Sequence, residues 1–78
     1  MNKNKKPDLI PIEFELGNSM NEEISDTSDY LVKFKTKWYG GRFEKFVFGW
    51  VFKGIYAHGC RLGMDDGWEK IYKIDDSK

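Results

Sequence analysis

Seventy-eight residues are expected to form one domain, and a chain this short buries only roughly 60–65% of its unfolded surface, which leaves little room for a deep catalytic pocket. A single cysteine, Cys60, excludes an intrachain disulfide, so the fold has to rest on its core, on a partner or on self-association, and aromatics at 17% of the chain supply large contact areas for any of these. Thirteen basic and thirteen acidic residues cancel to a formal charge of zero, which speaks against the net basic footprint usual in nucleic-acid-binding domains.

Residues 1–7 are polar and basic and are expected to form a disordered tail; with no apolar stretch and cleavage site behind them they do not read as a secretory signal. Ile10, Ile12, Phe14 and Leu16 then alternate with Pro11, Glu13 and Glu15, which predicts a strand with a wet acidic face. Pro11 cannot donate a ladder hydrogen bond and puts that strand at a sheet edge. Residues 18–29 are polar. Ser19-Met20-Asn21-Glu22 has the form of a capping box, so the segment reads either as an acidic loop or as one helical turn near 19–25.

The strongest strand pattern covers residues 30–38, with Tyr30, Val32, Phe34, Thr36 and Trp38 on one face and Leu31, Lys33, Lys35 and Lys37 on the other. Tyr39-Gly40-Gly41-Arg42 follows as the expected hairpin turn. Over residues 43–57, Phe46, Phe48, Trp50, Phe52 and Tyr56 share one period-two face, and Val47, Val51, Ile55 and Ala57 share the other. A helix would also align Phe43, Phe46, Val47, Trp50, Val51 and Ile55. It is rejected because aromatics, valine and the two glycines, Gly49 and Gly54, are poor helix formers, whereas aromatics and valine favour strands. Gly49 or Lys53-Gly54 is expected to mark a bulge, a bend or a turn. Residues 58–67 read as loop. A last strand places Trp68, Lys70, Tyr72 and Ile74 opposite Glu69, Ile71 and Lys73, and residues 76–78 form a polar tail.

The sum is a mainly β domain over residues 8–75. The expected architecture is a small antiparallel sheet curled or closed into a four- to five-strand barrel of the SH3-like or OB-like kind, with at most one short helical turn. A mostly antiparallel sheet crossed by a small helix is the alternative.

Charge is sorted along this chain. Residues 8–29 hold Asp8, Glu13, Glu15, Glu22, Glu23, Asp26 and Asp29 and no base, whereas residues 30–61 hold Lys33, Lys35, Lys37, Arg42, Lys45, Lys53 and Arg61 against Glu44 alone. Lys33, Lys35 and Lys37 on one strand face stand roughly 6.5–7 Å apart, close to the phosphate spacing of an extended nucleic-acid strand. They also suit a solvated face or a protected edge. Glu13, Glu15, Glu22 and Glu23 form either a docking surface for a basic partner or, if the first two lie across from Lys35 and Lys33, an internal neutraliser of that row. The aromatic row over 46–56 is core, or a platform for bases. A strand apolar on both faces is normally covered twice, and little of this chain remains to cover the second face of 46–57, which suggests another chain or a second copy.

Enzymatic and metal chemistry find little support. His58 and Cys60 are two ligands where zinc needs three or four. As a nucleophile–base pair they lack an orienting third group. Asp65-Asp66-Gly67 is too short for a calcium loop. No catalytic residue, metal or cofactor is assigned. Residues 45–52 lack the glycine after the basic residue that the ribonucleoprotein motif requires, and the chain lacks the accompanying βαββαβ order.

The expectation is therefore a small, non-enzymatic, intracellular protein that binds another protein through an aromatic and charged sheet face. Lys33, Lys35, Lys37, Trp38, Tyr39, Arg42 and Trp50 are the candidate contacts. Its size suits an inhibitor of a host enzyme or defence complex of the kind carried by phages and mobile elements. The alternative is a single-stranded nucleic-acid-binding module using the lysines with Arg42, Trp38 and Trp50. A homo-oligomer is a third expectation, and no membrane partner is expected.

Overall fold

Period-two alternation is realised most fully where Tyr30, Val32 and Phe34 are buried while Asp29, Leu31 and Lys33 between them are not. In the computed structural model, which describes residues 8–75, this segment is β2 (Asp29–Phe34), and it lies inside a sheet. The other strands are β1 (Asp8–Pro11), β3 (Lys37–Gly41), β4 (Phe43–Phe46), β5 (Gly49–Phe52), β6 (Cys60–Arg61) and β7 (Trp68–Asp75). They form two antiparallel sheets, one of order β1-β7-β2-β3 and one of order β4-β5-β6.

The described residues are thus mainly β with no helix, as expected in the coarse. No closed barrel is found among the described residues: there are two small sheets, and the chain changes sheet at Arg42, the one residue between β3 and β4. The expected tails, 1–7 and 76–78, lie outside the described residues.

Three local expectations are corrected. The first strand stops at Pro11 rather than running to Leu16; Ile12 is buried, but Leu16 is 69% exposed. Pro11 does sit in an edge strand, at its end, opposite Tyr72. No helical turn forms near 19–25, because Ser19 does not cap one. Its hydroxyl donates instead to the Phe48 carbonyl at 2.6 Å, and Asn18 and Asn21 build turns by accepting from the N–H groups of Met20 and Glu23.

The third correction decides the site. The strand expected over 30–38 turns back at Lys35-Thr36, where φ is +50° and +67°, the geometry of a two-residue hairpin turn. The Lys35 N–H donates to the Gly67 carbonyl, and the Thr36 N–H donates to Glu69 Oε2, both at 2.8 Å. Gly40 and Gly41 are not the turn but part of the return strand. A Cβ on Gly41 would lie 3.0 Å from Gly54 Cα and 3.1 Å from the Phe52 ring, so glycine serves close approach there. Residues 43–57 hold two strands as expected, with the turn at Val47-Phe48 immediately before Gly49.

One core joins the two sheets. Tyr30, Val32, Phe34, Trp68 and Ile71 come from the first sheet, Phe43, Trp50 and Phe52 from the second, and Ile12, Ile24 and Leu62 from the connecting coil. Phe43 is the aromatic hub, with ring centroids of Phe52 at 5.0 Å, Tyr30 at 5.1 Å and Trp68 at 6.3 Å. The polar atoms of these rings are satisfied: Tyr30 Oη accepts from the Ser25 N–H, while the indole N–H groups of Trp50 and Trp68 donate to the carbonyls of Asn21 and Arg61. All four residues of β5 are buried, and the backbone at Gly59 lies against Val51. The second face of this strand is therefore covered from within the chain.

Candidate docking face

In a paired register, opposed residues share a face, so the pairings define what the first sheet presents away from the core. Three rows result. Trp38, Lys33 and Lys70 form the first across β3, β2 and β7. Gly40, Leu31, Tyr72 and Pro11 form the second, and Asp29, Ile74 and Leu9 the third. This outer face is rich in apolar side chains. Trp38 is 48% and Leu9 49% exposed, and Leu31, Tyr72 and Ile74 are half-buried. No described segment of the chain packs over it to form a second layer.

The two-residue turn is what brings Trp38 here. It places residue 38 opposite residue 33, hence on the face of Lys33 and not on that of Phe34. The Trp38 ring stacks with Tyr72 at 6.1 Å and an interplanar angle of 30°, and Lys33 Nζ lies 5.8 Å from its centroid. A β-bulge in β7 leaves Glu69 unopposed in the ladder, because Lys33 faces Lys70 and Phe34 faces Trp68. Glu69 uses the freedom to reach Lys33 at 3.8 Å and the Thr36 N–H. The bulge also turns Trp68 into the core, away from the face expected for Lys70, Tyr72 and Ile74.

The lysine row does not form. Lys33 is on β2, Lys35 is in the turn with Nζ 5.5 Å from the Phe34 ring, and Lys37 begins β3 opposite Phe34. Tyr39 pairs with Val32 and packs against the core, and Trp50 is buried in it. Arg42 sits at the sheet-changing corner, where Asp29 binds its Nε at 2.7 Å and raises the guanidinium pKa. Of the expected basic and aromatic contacts, only Lys33 and Trp38 belong to the outer face. Leu31 shares the Lys33 face as the alternation predicts, whereas Lys70, Leu9, Tyr72 and Ile74 are not among the expected contacts.

Glu13, Glu15, Glu22 and Glu23 are exposed, but they lie in coil and turns after β1, which pairs with β7 and not with β2. The proposed internal neutralisation of the lysines by Glu13 and Glu15 is therefore absent. Asp29–Arg42 is the one ion pair that joins the acidic to the basic stretch among the described residues; Lys33 pairs with Glu69 and Lys53 with Glu44.

A second exposed apolar feature is the β4–β5 turn. Val47 is fully exposed, and Phe46 and Phe48 stack at 5.4 Å beside it, with the Arg61 guanidinium 4.3 Å from the Phe48 ring. Cys60 is buried, its S–H donates to Asp65 at 2.9 Å, and burial first and Asp65 second push the thiol pKa up to about 12. His58 stacks on Tyr56. A thiol so held is protonated and unreactive at neutral pH. Among the described residues, no group of three potential metal ligands gathers, and no helix is long and apolar enough to cross a membrane. Comparison with protein-family models, with curated proteins and with solved structures finds no match.

Proposed function

We propose that this chain is a small, non-enzymatic, intracellular binding protein that docks another protein on the outer face of its four-stranded sheet, acting as an inhibitor or regulator. A host enzyme or defence complex confronted by a phage or mobile element is the type of target its size suits. The observation that carries the reading is the uncovered apolar face itself, with Tyr72 near its centre, Trp38 stacked on it from the edge strand, and Leu9, Leu31 and Ile74 beside them. Four strands roughly 4.8 Å apart and three rows roughly 7 Å apart give a patch of roughly 19 by 20 Å. Contiguous apolar patches on this scale are commonly interaction sites. A stacked Trp–Tyr pair is the kind of rigid anchor that dominates interface energies.

A second reading, a single-stranded nucleic-acid-binding module, draws on Lys33, Lys70 and Trp38 on the same face. The two separate in one experiment set. The tagged protein and its Trp38→Glu variant are used to capture partners from extract of the native host, and a labelled dT12 oligonucleotide is titrated at low and high salt. A protein retained by the parent and lost by the variant supports the proposal. Micromolar oligonucleotide binding that falls steeply with salt would replace it with the second reading. Retention that ignores the Trp38 change would remove the face from consideration.

A further inference from the structure

Lys33 and Lys70 stand directly opposite each other on β2 and β7. Like charges so placed in a sheet repel. Glu69 relieves Lys33, at 3.8 Å, but Lys70 is exposed and has no ion-pair partner among the described residues. Two lysines thus share one row of a largely apolar face, and of the two only Lys33 has a counter-charge. Trp38 lies beyond Lys33 in the same row. Beyond Lys70, β1 has already left β7, and a groove opens that is lined by Pro11, Phe14, Lys70, Ile71 and Tyr72, with Glu13 and Glu69 at its polar wall.

We infer that this end of the face takes an extended acidic peptide segment of a protein partner, with a carboxylate between Lys33 and Lys70 and an adjacent apolar side chain in the groove beside Tyr72. The inference rests on the protein-binding reading above. The same geometry disfavours a nucleic acid. Lys33 already lies on the Trp38 ring and Tyr72 stacks with it, so a base has to displace one of them. The rest of the face is aliphatic Leu9, Leu31 and Ile74 with Asp29, which offers neither stacking planes nor a basic track for phosphates. A carboxylate on a peptide answers the lysine pair, and its neighbours can use the aliphatic surface.

The test uses a capped pentapeptide alternating glutamate with phenylalanine and leucine, the same peptide with glutamine for each glutamate, and dT12. Trp38 reports binding by fluorescence, since it is 48% exposed while Trp50 and Trp68 are 6% and 5% exposed. The expected result is saturable binding of the glutamate peptide with a Kd on the order of 100 µM, and about fivefold or greater weakening for the glutamine peptide and for Lys70→Gln. Lys70→Gln is also expected to leave the urea midpoint unchanged or raised, since it removes a repulsion. Equal binding of the two peptides, no binding of either, or tighter binding of dT12 overturns the inference. If Trp38→Glu abolishes capture of a protein partner while Lys70→Gln does not, the face stands as a docking site and the carboxylate inference alone fails.

Discussion

At Gly49 the backbone takes φ of +130°, and a Cβ there would overlap both the hydroxyl and the carbonyl of Ser19. The close approach is held by two hydrogen bonds, Ser19 Oγ to the Phe48 carbonyl and the Trp50 N–H to the Ser19 carbonyl at 2.8 Å. Gly49→Ala is therefore expected to cost about 2–4 kcal/mol, a large part of the stability of a domain this size. Urea denaturation measures it, and a loss under about 0.5 kcal/mol would mean that the segment around Ser19 yields freely. Cys60 gives a second prediction at this scale. With the thiol pKa pushed up to about 12, the thiolate is scarce at pH 8. Iodoacetamide should alkylate the native protein at least ~100-fold more slowly than the urea-unfolded chain. Because the folded state holds this proton more tightly than the unfolded state does, the contribution of Cys60 to stability is complete below pH ~8.5 and declines as pH rises from there towards about 12. Cys60→Ala should flatten that part of the alkaline stability profile.

The β2–β3 hairpin turns on Lys35 and Thr36, neither of which favours positive φ, and Thr36 is β-branched as well. Replacing the pair by Asn-Gly should stabilise the protein by about 1 kcal/mol, read as a higher urea midpoint, provided the Glu69 contact to the residue 36 N–H persists. The poor fit of these two residues to their turn is also why sequence reasoning misplaced it. Gly40-Gly41 advertises a hairpin, whereas its actual task is to let β3 approach Gly54 and Phe52. Once the turn is misplaced by five residues, Trp38 falls on the wrong face and three lysines line up that the fold separates. The bulge at Glu69 does the same to β7, since alternation alone cannot announce an extra residue. What alternation does reveal is sound where the chain is unbroken: β2, the strand content of 43–52, a final strand from Trp68, and Pro11 at an edge. At the β4–β5 turn, Val47 packs against nothing, so Val47→Asn should change stability by less than about 0.5 kcal/mol while lowering concentration-dependent association in light scattering.

Taken whole, the molecule joins its sorted charges at Asp29–Arg42 and otherwise leaves the two stretches apart among the described residues. Glu22 and Glu23 occupy turns next to the second sheet, where Asn21 and Ser19 bond to Trp50 and Phe48, while Lys33 and Lys70 stand on the outer face of the first, with Glu13 at the groove beside Lys70. Neutrality is thus a property of the sum, and each side should respond to salt on its own. The order β1-β7-β2-β3 carries a consequence of a different kind. β7 joins β1 to β2, yet of the described strands it is the last to leave the ribosome. Until residue 68 and those after it emerge, β1 has no ladder partner and β2 only the short hairpin with β3, too little to stand alone in water. Folding of this sheet then waits for β7, the strand that ties β1 to β2. Refolding should take milliseconds to seconds rather than microseconds, as measured by stopped-flow tryptophan fluorescence, and a nascent chain stalled before Trp68 should remain open to proteases along its whole length.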